Sequence, residues 1–301
     1  MNMQLTTPII LPDTTIKLNP ASKVMMIGSC FAEHVGIELQ KRMTSAQVAV
    51  NPFGVLYNPI SIAQALSLLI SGNSPQADNH IFKGQDGLWH SWLFTTHFSG
   101  TSRDECEAKT SEAIAFGHKF LANANLLCIT FGTTRCYKLI NENADSRFIV
   151  ANCHKEPQRC FTEEEPSLEQ LTNIWQKIIE EIIAFNPTLR ICFTVSPYRY
   201  RKYGFHESQI QKSKLLLLVD ELCKANKCSV HHPEYFPAYE IMMDELRDYR
   251  FYADDMLHPS SLAVNIIAER FMDWTFTEDM KQQAEANLKA WKHSQHRQIN
   301  C

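Results

Sequence analysis

Short apolar runs alternate along the chain with longer stretches in which apolar positions recur every three or four residues. The runs are Lys23 to Ile27, Gln47 to Val50, Leu126 to Phe131 and Leu189 to Val195. Each is closed by turn-forming residues: Gly28, Asn51-Pro52-Phe53-Gly54, Gly132 and Ser196-Pro197 respectively. Apolar runs of this length with such punctuation predict buried strands. After the first of them, Phe31, Val35 and Leu39 mark one face of a helix, with Ser29 at its N-cap position. Further helices are predicted over Ser61 to Ile70 (capped by Ser61), Arg103 to Ala122, Leu168 to Phe185, Ser208 to Ala225, and Ser261 to Phe276 behind Pro259. Weaker patterns predict short strands at Arg147 to Ala151 and Cys228 to His231, and a helical turn at Tyr239 to Asp244. Residues 1–20 carry Pro8, Pro12 and Pro20 and read as extended, 71–100 as an aromatic, irregular or hairpin segment, and 279–301 as a polar helical tail weakly tied to the core.

Strands alternating with helices imply a mostly parallel sheet covered by helices on both faces, a three-layer α/β/α sandwich. The expected organisation is one domain over 1–301, with a core of about 20–275 and an insertion of about 60–122 after the second strand. Ligands of such sheets bind at the carboxyl ends of the strands.

Composition narrows the function classes. Hydrophobic residues make up 45% and charged residues 21%, with a net charge of -4. With no clustered Lys and Arg, nucleic acid is not an expected partner. The longest aliphatic run, Leu215 to Val219, is far too short to span a bilayer, so no membrane partner is expected. Met1 to Thr15 contains neither Lys nor Arg and no apolar core, so it does not read as a secretory leader, and a cytoplasmic location is expected. The ten cysteines form no C-x-x-C pair and read as reduced thiols. No zinc spacing, Walker pattern or G-x-G-x-x-G is present, so neither a metal nor a nucleotide cofactor is expected.

Two segments carry candidate chemistry. Gly28-Ser29-Cys30-Phe31-Ala32 places a nucleophile where a strand turns into a helix, under the positive end of the helix. That position lowers a thiol pKa and stabilises an oxyanion. The same letters also describe a tight turn in which Ser29 caps and Cys30 packs. In Asp254-Asp255-Met256-Leu257-His258-Pro259, a carboxylate three residues before a histidine can hold its Nδ1–H and leave Nε2 as a base. The alternative there is a solvated loop before a helix. His154, beside Cys153, has no second ligand pair at zinc spacing. Trp89, Trp92, Phe94 and Phe98 read first as the insertion's own core.

Taken together, Gly-Ser-Cys-Phe-Ala at 28–32, Asn-Pro-Phe-Gly at 51–54, Asn-Cys-His-Lys at 152–155 and Asp255-x-x-His258-Pro-Ser resemble the GSCFA family. So do Phe53 to Pro59, Ser196-Pro197, and the stretch from Tyr235-Phe236-Pro237 to Arg250-Phe251-Tyr252. The resemblance covers roughly 20–275 and implies a flavodoxin-like sheet of the SGNH-hydrolase type. It implies Cys30 as nucleophile with Ser29 in the neighbouring position, or Ser29 as nucleophile in a register shifted by one residue. It further implies His258 as base, Asp255 as its orienting group, and the Gly54 amide as an oxyanion donor. The superfamily's third block departs here: Thr134 and Arg135 replace Asn and Asp, which leaves Thr134 or Asn152 as the third donor. The implied activity is hydrolysis or O-acyl transfer on a small-molecule or carbohydrate ester. The alternative is a non-catalytic ligand-binding domain on the same fold.

Overall fold

A computed structural model of the protein describes residues 7–75, 80–140, 149–225 and 232–298. The chain runs β1 (Val24–Gly28), α1 (Cys30–Arg42), β2 (Val48–Val50), α2 (Pro59–Ser71), β3 (Ile81–Lys83), β4 (Trp89–Ser91), α3 (Arg103–Leu121) and β5 (Leu126–Phe131). It continues with β6 (Cys136–Leu139), β7 (Ile149–Val150), β8 (Phe161–Glu164), α4 (Leu168–Phe185), β9 (Arg190–Val195) and α5 (Phe205–Ala225). The last elements are β10 (Glu234–Tyr235), α6 (Ala238–Glu240), α7 (Ser261–Thr275) and α8 (Glu278–Gln298).

The main sheet has five strands in the order β10-β9-β5-β1-β2, and every neighbouring pair is parallel. Its strands are apolar without polar alternation because both faces are covered. Met25 and Ile27 of β1 and Leu127, Ile129 and Phe131 of β5 pack into the layer of α2, α3, α4 and α5, which also holds Trp175 and Leu218. Val24 and Met26, with Leu126 and Cys128, pack into the opposite layer with Phe31 and Leu39 of α1 and Ile267 and Phe271 of α7. The molecule is thus an α/β/α sandwich, as the alternation predicts, with the flavodoxin-like strand order that the family resemblance implies. Gly28 lies opposite Thr130, and Thr130 opposite Thr194, so the carboxyl ends of β1, β5 and β9 are level. The chain leaves β1 toward β2 and returns across it to β5, which makes the end of β1 the switch point where such sheets bind ligands.

Outside this sandwich, β3 and β4 form a hairpin, and β6 pairs antiparallel with both β7 and β8. Trp92, Val150 and Phe161 bury against one another between the hairpin and the β6–β8 sheet. The chain therefore makes two excursions, one before β5 and one after it, where the pattern predicted only the first. The strand expected at 147–151 starts outside the described residues, and its described part, β7, belongs to the small sheet. The strand expected at 228–231 lies outside the described residues; the fifth strand of the main sheet is β10, beside Cys192 and Phe193 of β9. Helix α2 is capped by Asn58, which accepts from the Ser61 N–H, so Ser61 is not the cap. The polar tail is better anchored than its composition predicted: Met280 and Ala284 are buried, and Asn287 Nδ2 donates to the Arg42 and Met43 carbonyls at 2.8 and 2.9 Å. Among the described residues no helix is long and apolar enough to cross a membrane.

Candidate active site

The turn after β1 is built around Gly28. Its φ is +137°, and a Cβ there would sit 2.2 Å from the Thr130 carbonyl oxygen, so only glycine lets β1 approach β5 this closely. The Gly28 N–H donates to Asn51 Oδ1 at 2.8 Å, and the Gly28 carbonyl accepts from the Leu56 N–H at 2.8 Å. The turn is therefore held by the loop after β2. Ser29 takes the N-cap position of α1 with extended backbone, but its side chain makes no cap bond. Its Oγ is buried and has no hydrogen-bond partner among the described residues, which corrects the capping role expected of it.

Cys30 opens α1 and is half-buried. Burial pushes its thiol above the ordinary value, and Glu33 adds to this, while the backbone N–H groups of Phe31 and Cys30 itself and the Lys212 ammonium pull it down. The sequence predicted a lowered thiol. The structure gives the opposite sign, because a helix N-terminus contributes only about 1 kcal/mol whereas desolvation acts on the whole charge. At neutral pH Cys30 is a thiol, and any attack by its sulfur would call for a base.

A candidate base stands in the loop before α7. Asp255 Oδ1 accepts the N–H groups of Leu257 and His258, each at 2.9 Å, and Oδ2 meets His258 Nδ1 at 2.5 Å. The tight loop needs a positive φ of 59° at Met256. The His258 backbone N–H, the His258 ring and the Leu257 N–H hold the Asp255 carboxyl down to about 2. With Nδ1 committed to Asp255, Nε2 is the free ring nitrogen. The loop is pinned from β9's side: the Arg199 N–H donates to the Leu257 carbonyl at 3.1 Å, and the Tyr198 ring lies 4.2 Å from the His258 ring.

Cys30 and His258, far apart in the sequence, line one cavity of about 410 Å³. Asn152, Thr133 and Arg135 share its wall with Tyr57, Tyr137, Tyr198, Tyr200 and Tyr203. Asn152 Oδ1 accepts the His154 N–H at 2.7 Å, so the amide NH₂ is the group it can offer. His154 and Lys155 both have positive φ. His154 is buried, its Nε2 bonds the Ser91 carbonyl at 2.9 Å, and its ring stacks on His90. Burial takes His154 down to about 4, so it stays neutral and anchors the Asn152 loop. Among the described residues no three His, Cys, Asp or Glu side chains are placed to hold a metal ion.

Two expected donors are not brought to this cavity. The Gly54 N–H is consumed in its own turn by the Asn51 carbonyl at 2.7 Å, and Gly54 lines a separate groove with Glu33, Lys109 and Phe116. A Cβ there would meet Thr95 Oγ1 at 1.9 Å, so the glycine is explained by packing. Thr134 is buried behind the wall, its Oγ1 without a partner among the described residues, while its neighbours Thr133 and Arg135 reach the cavity. Arg135 is neutralised by Glu207, Glu165 and Glu163 at 2.9, 3.3 and 3.6 Å and lies over the Tyr203 ring.

The motifs point to none of the five tyrosines as a wall of the cavity, nor to Lys212. Lys212 Nζ donates to the carbonyls of Gly132 at 2.6 Å and Ser196 at 2.7 Å, and burial holds it down to about 7. A signal was available: Lys212 falls on the same buried stripe of α5 as Leu215, Leu218 and Leu222.

No curated protein matches the chain. A solved Streptococcus pneumonia structure, described provisionally as a platelet activating factor, covers 84% of this chain and 84% of its own at 11% identity, with a TM-score of 0.42. A carbohydrate esterase family 2 enzyme with a carbohydrate binding domain, from Corynascus thermopiles (Myceliophthora fergusii), covers 94% of this chain and 69% of its own at 10% identity, with a TM-score of 0.39. The model of the GSCFA family matches residues 23–271, from the start of the first strand to the buried face of α7. The chain belongs to the GSCFA family.

Proposed function

We propose that the protein is an acyl-ester hydrolase or O-acyltransferase that works through a thioester on Cys30. His258 Nε2 takes the thiol proton as Sγ attacks the ester carbonyl. The oxyanion is held by the Cys30 backbone N–H, one of the unsatisfied amides of the helix start, and by the Asn152 amide. Collapse expels the alcohol, which receives the proton from His258. Water or a hydroxyl acceptor, deprotonated by His258, then attacks the thioester and frees Cys30. Asp255 holds the His258 ring and stabilises it when charged.

The observation that carries this proposal is the shared cavity: a helix-opening thiol and a carboxylate-oriented histidine line it together. Its size falls within the range of small-molecule sites. With Arg135 neutralised and tyrosine rings and hydroxyls on the wall, it suits an uncharged, hydroxylated ester such as an acylated sugar. Cys106, Cys128, Cys136 and Cys192 are buried free thiols, which suits a reducing, cytoplasmic setting. The test is turnover of a generic aryl ester. Cys30→Ala and His258→Ala should each lower it by about 10³-fold or more. Undiminished turnover in Cys30→Ala would reject the thioester route. The raised Cys30 thiol favours a second proposal, a ligand-binding pocket without turnover; ester hydrolysis that depends on Cys30 would dismiss it.

A further inference from the structure

Lys212 has no role in the steps above, yet its placement is costly. It is 2% exposed, and among the described residues no carboxylate pairs with it. A buried ammonium without a counter-charge is unfavourable, and an apolar side chain here would simply extend the stripe of Leu215, Leu218 and Leu222. The two carbonyls it binds belong to the residues that follow β5 and β9, so Nζ bridges the carboxyl ends of two adjacent strands. One of those residues, Gly132, packs directly behind the nucleophile turn. A Cβ on Gly132 would come within 3.5 Å of Ser29 Cβ and 3.0 Å of the Tyr57 carbonyl oxygen. The ionisable group whose charge acts on Lys212 is Cys30, and the influence is mutual.

We propose that Lys212 is a positioning residue for Cys30: from behind the strand ends it fixes the carbonyl frame of the turn and supplies the positive charge that stabilises the Cys30 thiolate. The proposal rests on Cys30 being the nucleophile. The other groups around Cys30 are Glu33 on its own helix, which opposes the thiolate, Tyr57 and Tyr198 from the surrounding loops, and His258 in the shared cavity.

The experiment is the rate of Cys30 alkylation by iodoacetamide, followed by peptide mass spectrometry across pH. In Lys212→Met alkylation at and below neutral pH, where Lys212 carries its charge, should slow by about tenfold, and the two profiles should converge toward alkaline pH. A folded Lys212→Met whose profile superimposes on wild type overturns the proposal. Should that variant not fold, the reciprocal coupling decides the matter, read by side-chain NMR of isotope-labelled lysine. The Lys212 ammonium should persist to higher pH in Cys30→Asp, which places a fixed anion there, than in Cys30→Ser; equal midpoints overturn it. Neither readout uses an ester. An ester-turnover result for Cys30→Ala therefore bears on the proposed function alone.

Discussion

Replacing Lys212 with methionine should abolish a pH dependence of stability that the wild-type chain carries above neutrality. Burial lowers the lysine from its ordinary 10.5 to about 7. At about 1.4 kcal/mol per pKa unit, keeping the ammonium buried costs about 4–5 kcal/mol at pH 7 and below. The unfolded chain keeps this proton until its ordinary value, whereas the folded chain releases it near 7. Between the two values the unfolded state binds more protons, so stability rises with pH. From about pH 7 to about pH 9.5 the wild type should gain about 3 kcal/mol from this group. Methionine removes the ammonium's cost but strips the Gly132 and Ser196 carbonyls of their donor, at about 1–3 kcal/mol each. At neutral pH the two effects nearly cancel. The titrations of the tyrosines and of the cysteines other than Cys30 are common to both proteins and drop out of the difference. Urea unfolding at the two pH values measures it, with the m-value as a check on two-state behaviour. The wild-type minus variant difference should grow by about 3 kcal/mol toward alkaline pH. Parallel stability curves would refute the buried-ammonium account.

Ser29→Ala removes a buried hydroxyl that has no partner, so thermal unfolding should be unchanged or improved by about 1 kcal/mol, with ester turnover largely retained. A loss of about 100-fold or more would return Ser29 to the chemistry. Gly54→Ala drives a Cβ into Thr95 at a positive φ and should cost about 2 kcal/mol or more in a denaturation experiment. Lost turnover at unaltered stability would instead reinstate the Gly54 amide as a donor. Asp255→Asn keeps the exposed loop but frees the His258 tautomer, so turnover should drop by about 10²–10⁴-fold with little change in melting temperature. Wild-type turnover in that variant would separate Asp255 from the reaction.

The layers of the sandwich were legible because a sheet covered on both faces leaves continuous apolar runs, and each run ends at residues that force a turn: Gly28, Gly132, Ser196-Pro197. The Asp255–His258 pair was legible for a local reason, since three residues separate partners that one tight loop brings together. What lay hidden depends on distant segments meeting. Tyr57, Tyr137 and the group Tyr198, Tyr200 and Tyr203 come from three connections and share a wall only once the sheet is ordered. Strands β6 and β8 are too short and mixed to show a period. The tail reads as polar because only Met280, Ala284 and Asn287 carry its docking onto α1 and the core. Gly54 misled because a glycine required for packing and a glycine required for an amide donor look alike in sequence. The sign of the Cys30 shift was misjudged for a related reason: the helix start is visible in the letters, but the extent of burial is not.

The central claim is a covalent acyl group on Cys30, and peptide-resolved mass spectrometry after brief exposure to an aryl acetate tests it most directly. The account predicts one acetyl group on the peptide bearing Cys30, labile to hydroxylamine as a thioester is, and absent from Cys30→Ala. In His258→Ala its formation should slow, because the thiol then lacks its base. An acetyl group on Ser29, or ester turnover in Cys30→Ala with no adduct on the wild type, would contradict it.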